Sequence, residues 1–277
     1  VPPLPDPYYS DDRVTVFHGR VEDSLPTLPD CSVDSVVTDP PYAFPGGFMS
    51  KPWDAFTSPR HFQEWCEEWA RECYRILKPG GHLIAAGAPR CYHRLASGIE
   101  DAGFEVRDSI HHLFGAGFPK GHDVSAAIDR LAGAEREVVG RVRGAGSSNT
   151  ESLGVFANEY YATVPATDEA KQWEGWNTAL KPAHEPWVLA RKPLVGTTVA
   201  ANVLEYGTGA LNIDGCRVAT TEPDGRPLLA LDAKESANGS VYVGRQTPGT
   251  GFDGGSKAVG TTHQGRWPAN VVFSHAE

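Results

Sequence analysis

Positive charge is in deficit in this chain: 25 Lys and Arg stand against 35 Asp and Glu, for a formal net charge of −10. A chain of this sign is no general coat for nucleic acid, so a phosphate backbone would have to meet a local basic surface. Elsewhere the acidity is read as solubility. Cysteine is sparse. Cys31, Cys66, Cys73, Cys91 and Cys216 form no CxxC pair and no metal-ligand spacing, and their count is odd. They read as reduced, buried thiols of an intracellular protein, with no metal expected. No uninterrupted apolar run is long enough to span a membrane, and no secretory pattern opens the sequence. The expectation is a soluble, cytoplasmic protein. The first residue is not Met, which reads as a trimmed start. There is no internal repeat.

What is present is an ordinary globular mixture: 277 residues, 40% hydrophobic and 22% charged. That suffices for one large α/β domain or two small ones. With 30 Gly and 22 Pro, nearly a fifth of the chain, some loops must be long. Residues 1–13 are Pro-rich and acidic, a surface arm. "RVTVFHG" (13–19) alternates polar and apolar residues as a strand does. "EDSLPTLP" (22–29) reads as a helical turn broken by prolines, and "SVDSVVTD" (32–39) as a second strand. The strongest helix spans 58–81. Phe62, Trp65, Trp69, Tyr74 and Leu77 fall near helical spacing, Ser58 suits the cap, Pro59 the first position, and "KPGG" the stop. "HLIAAGA" (82–88) is a third strand, 90–104 a second helix, 105–117 a fourth strand and 125–137 a short helix.

Strands alternating with helices predict a mainly parallel, doubly wound α/β sheet, with ligands at the carboxyl ends of strands. The expected organisation is an α/β core over 1–140, a mobile Gly/Ser-rich loop region over 141–180, a returning core strand within 181–204, and an irregular region over 205–277.

One strand end carries chemistry. In "SVVTDPPYAF" (35–44) an apolar run ends in an acid, two prolines and a tyrosine. Two prolines cannot continue a central strand, because each lacks a ladder donor. An exocyclic amine on adenine or cytosine is a poor nucleophile, because its lone pair is delocalised into the ring. Two acceptors placed around its N–H bonds draw the nitrogen towards tetrahedral geometry and free that lone pair. The Asp39 carboxylate and the Pro40 carbonyl, stiffened by Pro41, are such acceptors. Tyr42 adds a flat face for an extruded base. The plain structural alternative is a strand-ending Pro-Pro turn with an incidental Tyr.

The flanking stretches argue for chemistry. "LPTLPDCSVDSVVTDPPY", "FMSKPWD" (48–54), "WARECYRILKPGGHLIAAG" (69–87) and "YHRLASGIEDAGFEVRD" (92–108) resemble the amino-methylating DNA methyltransferases that act on adenine N6 or cytosine N4, of the bacterial and phage kind. So do "GFPKGHDVSAAIDRLAGAEREVVG" (117–140), "WEGWNTALKPAHEPWVLARKPL" (173–194), "YGTGALNIDGCRV" (206–218) and "GRWPANVV" (265–272). The order of these stretches resembles the circularly permuted β group.

The resemblance implies a Rossmann-like methyltransferase with an irregular DNA-recognition region in 205–277, and S-adenosylmethionine as cofactor. It implies double-stranded DNA as substrate, with base flipping, and admits a homodimer and a cognate restriction endonuclease as partners. Asp39, Pro40, Pro41 and Tyr42 would be catalytic, with Tyr42 and Phe44 as the walls of the base pocket. Arg20, Val21, Glu22 and Asp39 would touch the cofactor; Arg20 stands where the family has Asp, and Glu22 or Asp23 is the substitute. Asp rather than Ser in "TDPPY" favours adenine N6 over cytosine N4. The other readings are cytosine-N4 methylation, a catalytically incomplete DNA-binding module, and methylation of RNA or protein amides. The last usually has Asn before Pro-Pro-Tyr. The family's Phe-x-Gly-x-Gly cofactor loop does not occur in these residues. The nearest stretch, "EYGTG" (205–209), has Glu205 at the aromatic position. The resemblance therefore implies a sheet without its first strands and with an apolar edge exposed.

Trp173 and Trp176 suit packing more than DNA contact. His184 and Glu185 lack further ligands for a metal and read as a structural hydrogen-bonding pair.

Overall fold

The computed structural model describes residues 6–44, 46–47, 51–114, 121–143, 159–196, 198–218, 226–230, 257–262 and 268–273. They form two compact units, Val1–His112 with Glu185–Val272, and Leu113–His184 with Phe273–Glu277. Among the described residues, no helix is long and apolar enough to cross a membrane.

The first unit is built on a five-stranded sheet. Its strands are β1 (Val33–Thr38), β2 (Leu77–Ala86), β3 (Glu105–Leu113), β4 (His184–Arg191) and β5 (Val271–Phe273), in the spatial order β5-β3-β4-β2-β1. β1 runs parallel to β2, with Thr38 opposite Ala85. β4 runs antiparallel to β2, with Trp187 opposite Ala86 and Arg191 opposite His82. The sheet is therefore mixed, where the alternation of elements predicted a mainly parallel one. The reason lies in the connection into β4: it arrives from the second unit, not from a crossover helix, so no right-handed βαβ unit imposes a parallel partner.

β1 is an edge strand: β2 is its neighbour in the sheet, and Val37 is 67% exposed. The "RVTVFHG" strand shortens to Thr15–Val16, paired with Tyr9–Ser10 in a separate hairpin.

The long helix forms where expected, as α1 (Pro59–Ile76), with the Ser58 hydroxyl accepting from the His61 N–H at 3.0 Å. It buries Phe62, Cys66, Trp69, Ala70, Cys73 and Ile76, one stripe at helical spacing. It ends earlier than predicted, and Leu77–Gly81 already belong to β2. Lys192 closes the helix. Its ammonium donates to the Tyr74 and Leu77 carbonyls at 2.7 Å each, meeting acceptors that the last turn leaves open.

α2 (Tyr92–Asp101) packs against α1 through Gly98. A Cβ at Gly98 would sit 2.7 Å from both the Cys66 Cβ and the Gln63 carbonyl. Phe62, Leu77, Leu83, Leu95, Ile99 and Val188 fill the core between these helices and the sheet.

In the second unit, α3 (Val124–Leu131) and α4 (Asp168–Gln172) pack against each other, and Val138–Arg143 pairs with Glu159–Thr163 in an antiparallel hairpin. The centre of the unit is the buried Asp129 carboxylate. It accepts from the Ala166 and Thr167 N–H groups and the Thr167 hydroxyl, and pairs with Arg136 at 3.4 Å. The region predicted as a loop over 141–180 thus holds regular elements, while 144–158 lie outside the described residues. Trp173 and Trp176 meet edge to face at 5.1 Å and remain largely exposed, where packing was expected.

α5 (Val199–Tyr206) returns the chain to β2. The fully buried Asn202 amide donates to the Pro79 and Thr208 carbonyls at 2.9 Å. "EYGTG" is thereby a helix end, with Gly207 at φ +75° in the left-handed region that closes helices. Much of the expected recognition region, 219–225, 231–256 and 263–267, lies outside the described residues. Asn270 ties β5 to β3 by accepting from the His111 N–H at 2.8 Å.

Two expected outcomes follow from the packing. An exposed helical Gly→Ala change stabilises by about 1 kcal/mol. Gly98→Ala should instead destabilise by about 1–3 kcal/mol in chemical denaturation, because backbone and Cβ atoms must separate. Cys66, Cys73 and Cys91 are buried, and burial pushes the Cys73 thiol up to about 12 and those of Cys66 and Cys91 upward too. A thiol reagent should therefore label Cys31 and Cys216 quickly in the native protein, and all five cysteines only in denaturant.

Candidate active site

β1 ends at Thr38, and Asp39 follows with its carboxylate exposed. Pro40 is buried, while Pro41, Tyr42, Ala43 and Phe44 are half-buried. The prolines stop the ladder by removing two donors and turn the chain over the carboxyl end of the sheet.

Three side chains from elsewhere in the sequence hold this turn. The first is Asp54, 1% exposed, at the end of a short 3-10 turn over Pro52–Asp54. Its two carboxylate oxygens accept from the Ala43 and Phe44 N–H groups at 2.8 and 3.1 Å. Ala43 sits at φ +52°, in the left-handed region that a residue with a Cβ seldom adopts. Two successive N–H groups aimed at one carboxylate offset that strain. The second is Cys91, whose thiol donates to the Tyr42 carbonyl at 3.1 Å. The third is Glu185 on β4. One of its oxygens accepts the Tyr42 hydroxyl proton at 2.5 Å, and the other accepts from the Trp187 indole N–H at 3.2 Å. Burial, then the carboxylates of Glu185 and Asp39, raise the Tyr42 phenol far above its ordinary range, so it stays protonated.

The Tyr42 and Phe44 rings lie 6.1 Å apart with their planes tilted by 45°. The Arg90 guanidinium lies 5.8 Å from the Phe44 centroid, placing a cation beside the two rings. Tyr42 and Phe44 therefore stand together, and Asp39 opens the same turn.

The expected cofactor contacts form a separate cluster. Arg20 precedes a single helical turn over Val21–Ser24, and its guanidinium pairs with Glu22 at 3.1 Å. The Trp65 indole N–H donates to the same carboxylate at 3.1 Å. Arg20, and with it Trp65, holds the Glu22 carboxyl down at about 2 against the effect of partial burial. Val21 is exposed. Among the described residues, no hydrogen bond or ion pair joins this turn to Asp39. Nor does any cluster of three His, Cys, Asp or Glu side chains there have the makings of a metal site.

Sequence reasoning missed Asp54, Cys91 and Glu185 as partners of the turn. The expected His184–Glu185 pair is replaced: the hydrogen bonds of Glu185 run to Tyr42 and Trp187. A local signal existed for Asp54, an acid in an otherwise aromatic and proline-rich stretch, "KPWDAF". For Glu185 there was none, because its partner is 143 positions away.

Residues 33–124, from β1 through α2 to the start of α3, match the model of the DNA methylase family whose members modify N6 or N4. The type II methyltransferase M.HindIII of Haemophilus influenzae is 25% identical over 156 residues, 56% of this chain and 40% of that protein. M.HinfI of the same species is 26% identical over 110 residues, 35% of this chain and 30% of the relative. The chain spans less than half the length of either. Among solved structures, the PvuII DNA methyltransferase (cytosine-N4-specific) aligns over 74% of this chain and 66% of its own, at 14% identity and a TM-score of 0.37.

The pinning of the turn has a measurable consequence. Asp54→Ala leaves two N–H groups without an acceptor and should lower stability by about 2–6 kcal/mol, at about 1–3 kcal/mol for each lost partner. Asp54→Asn keeps one acceptor and should lose less. Denaturant titration of the two variants tests this, and a loss below about 0.5 kcal/mol in Asp54→Ala would show that the carboxylate does not hold the turn.

Proposed function

We propose that the chain is the catalytic part of a DNA methyltransferase that transfers a methyl group from S-adenosylmethionine to adenine N6. The observation that carries this reading is the exposed Asp39 carboxylate at a strand end, beside the Tyr42 and Phe44 rings. A purine drawn out of a duplex needs a stacking wall and an acceptor in the plane of its amine. Tyr42 and Phe44 offer the wall. Asp39 accepts from one amine N–H, and the Pro40 carbonyl, stiffened by Pro41, accepts from the other. Both acceptors face the positive charge that grows on the nitrogen, and they need no reorganisation to do so. The proton shed by the amine is drawn to the Asp39 carboxylate.

S-adenosylmethionine supplies an electrophilic methyl group. The residues present fit its polar adenosine end. The Glu22 carboxylate, kept ionised by Arg20 and Trp65, is an acceptor for hydroxyl or amino donors. Cations for the DNA backbone must be local in this acidic chain, and Arg90, 5.8 Å from the Phe44 ring centroid, is one candidate.

The test uses the full-length protein, labelled S-adenosylmethionine and unmodified DNA, with the product digested to nucleosides. Label in N6-methyl-2′-deoxyadenosine is the expected result; label in N4-methyl-2′-deoxycytidine would reassign the base, and no label would overturn the reading. Asp39→Ala should lower the rate by about a hundredfold or more while the fold persists. Near-normal methylation by that variant would remove Asp39 from the chemistry.

A further inference from the structure

The Tyr42 hydroxyl has one proton to donate and faces two carboxylates, Glu185 and Asp39. The bond runs to Glu185, at 2.5 Å. That choice matters for the reaction proposed above, because an Asp39 that receives the phenol proton has lost a lone pair meant for the target amine. We propose that Glu185 is a positioning residue which takes the Tyr42 proton and so keeps the Asp39 carboxylate free for the base. This inference rests on the methyltransferase reading and adds to it a residue from a distant part of the chain.

The surroundings suit the role. Glu185 is itself held: the Trp187 indole N–H occupies its second oxygen at 3.2 Å. A carboxylate with two donors in fixed directions cannot swing away from the phenol. The neighbouring Pro186 is buried, and its carbonyl accepts from the Gly87 N–H at 3.0 Å, so the backbone that carries Glu185 is tied to the end of β2. Among the described residues Asp39 has no comparable lock, and it is exposed. Of the two carboxylates, one is spent inside the protein and one is left open.

The role predicts an unusual genetic pattern. Glu185→Leu removes the acceptor at similar volume, and the phenol then turns its proton to Asp39. Tyr42→Phe keeps the stacking ring and removes the proton altogether. Full-length wild-type protein, both single variants and the double variant would be compared in single-turnover methylation, with the KM for S-adenosylmethionine measured alongside. Glu185→Leu should slow methyl transfer about tenfold to a hundredfold, as misplacement of a reacting group does, with KM little changed. Tyr42→Phe sets the reference rate against which the double variant is read. The double variant should recover to the Tyr42→Phe rate, a rescue that a merely structural glutamate would not show. A double variant as slow as Glu185→Leu, or slower, overturns the proposal. If Glu185→Leu does not fold, Glu185→Gln serves. Its amide is a weaker acceptor and presents an N–H to Trp187, so it should also be slow and also be rescued by Tyr42→Phe. Wild-type protein that methylates no DNA would overturn the underlying reading instead, and is seen before any variant is compared.

Discussion

The antiparallel register of β2 and β4 is the constraint on which the site depends. With Trp187 opposite Ala86, the amino end of β4 lies beside the carboxyl end of β2, and β1 ends at that same side of the sheet. Glu185 therefore reaches Tyr42. A parallel β4 would carry Glu185 to the opposite end of the sheet, roughly 20 Å away at about 3.3 Å per residue. One strand direction thus decides whether the Tyr42 hydroxyl finds a partner other than Asp39.

The turn after β1 shows how a short, strained segment is kept in one shape. Pro40 and Pro41 remove two backbone donors, so the ladder ends without leaving N–H groups unpaired. The next two N–H groups, of Ala43 and Phe44, are both taken by Asp54, and the Tyr42 carbonyl is taken by the Cys91 thiol. Ala43 and Phe56 pack against the core, so the polar anchors sit above an apolar floor. A buried carboxylate with two N–H partners is costly to leave unpaired, which gives the turn its rigidity.

Among the described residues, three carboxylates lie around this turn, and their surroundings divide their work. Asp54 is buried and spent on backbone, and Glu185 is half-buried and spent on Tyr42 and Trp187. Asp39 is exposed and has the capacity to accept from a ligand. The same principle organises the second unit, where Asp129 is buried and its acceptors are filled by Thr167, Ala166 and Arg136. In an acidic chain, carboxylates that meet donors inside the fold become structural, and the one left without them is available for chemistry.

Local pattern was enough for much of this. The cap at Ser58, the apolar stripe of α1, the strand over 33–38 and its termination by two prolines are all written in neighbouring residues, because they depend on spacing and on missing donors. Asp39, Tyr42 and Phe44 could be named for the same reason, being adjacent in one strand-to-loop turn. Local pattern could not give the direction of β4, since a strand reads alike in both directions and its orientation is set by the path of the connection. Nor could it show that "EYGTG" closes on Pro79, which lies 123 positions from Asn202, or that Leu77–Gly81 is strand beyond a helix end held by Lys192 from more than a hundred positions away. Residue types near Asp39 put a carboxylate and two aromatic rings at one strand end. Only tertiary structure brought Glu185 to Tyr42, because a hydrogen bond between positions 143 apart leaves no trace in either neighbourhood.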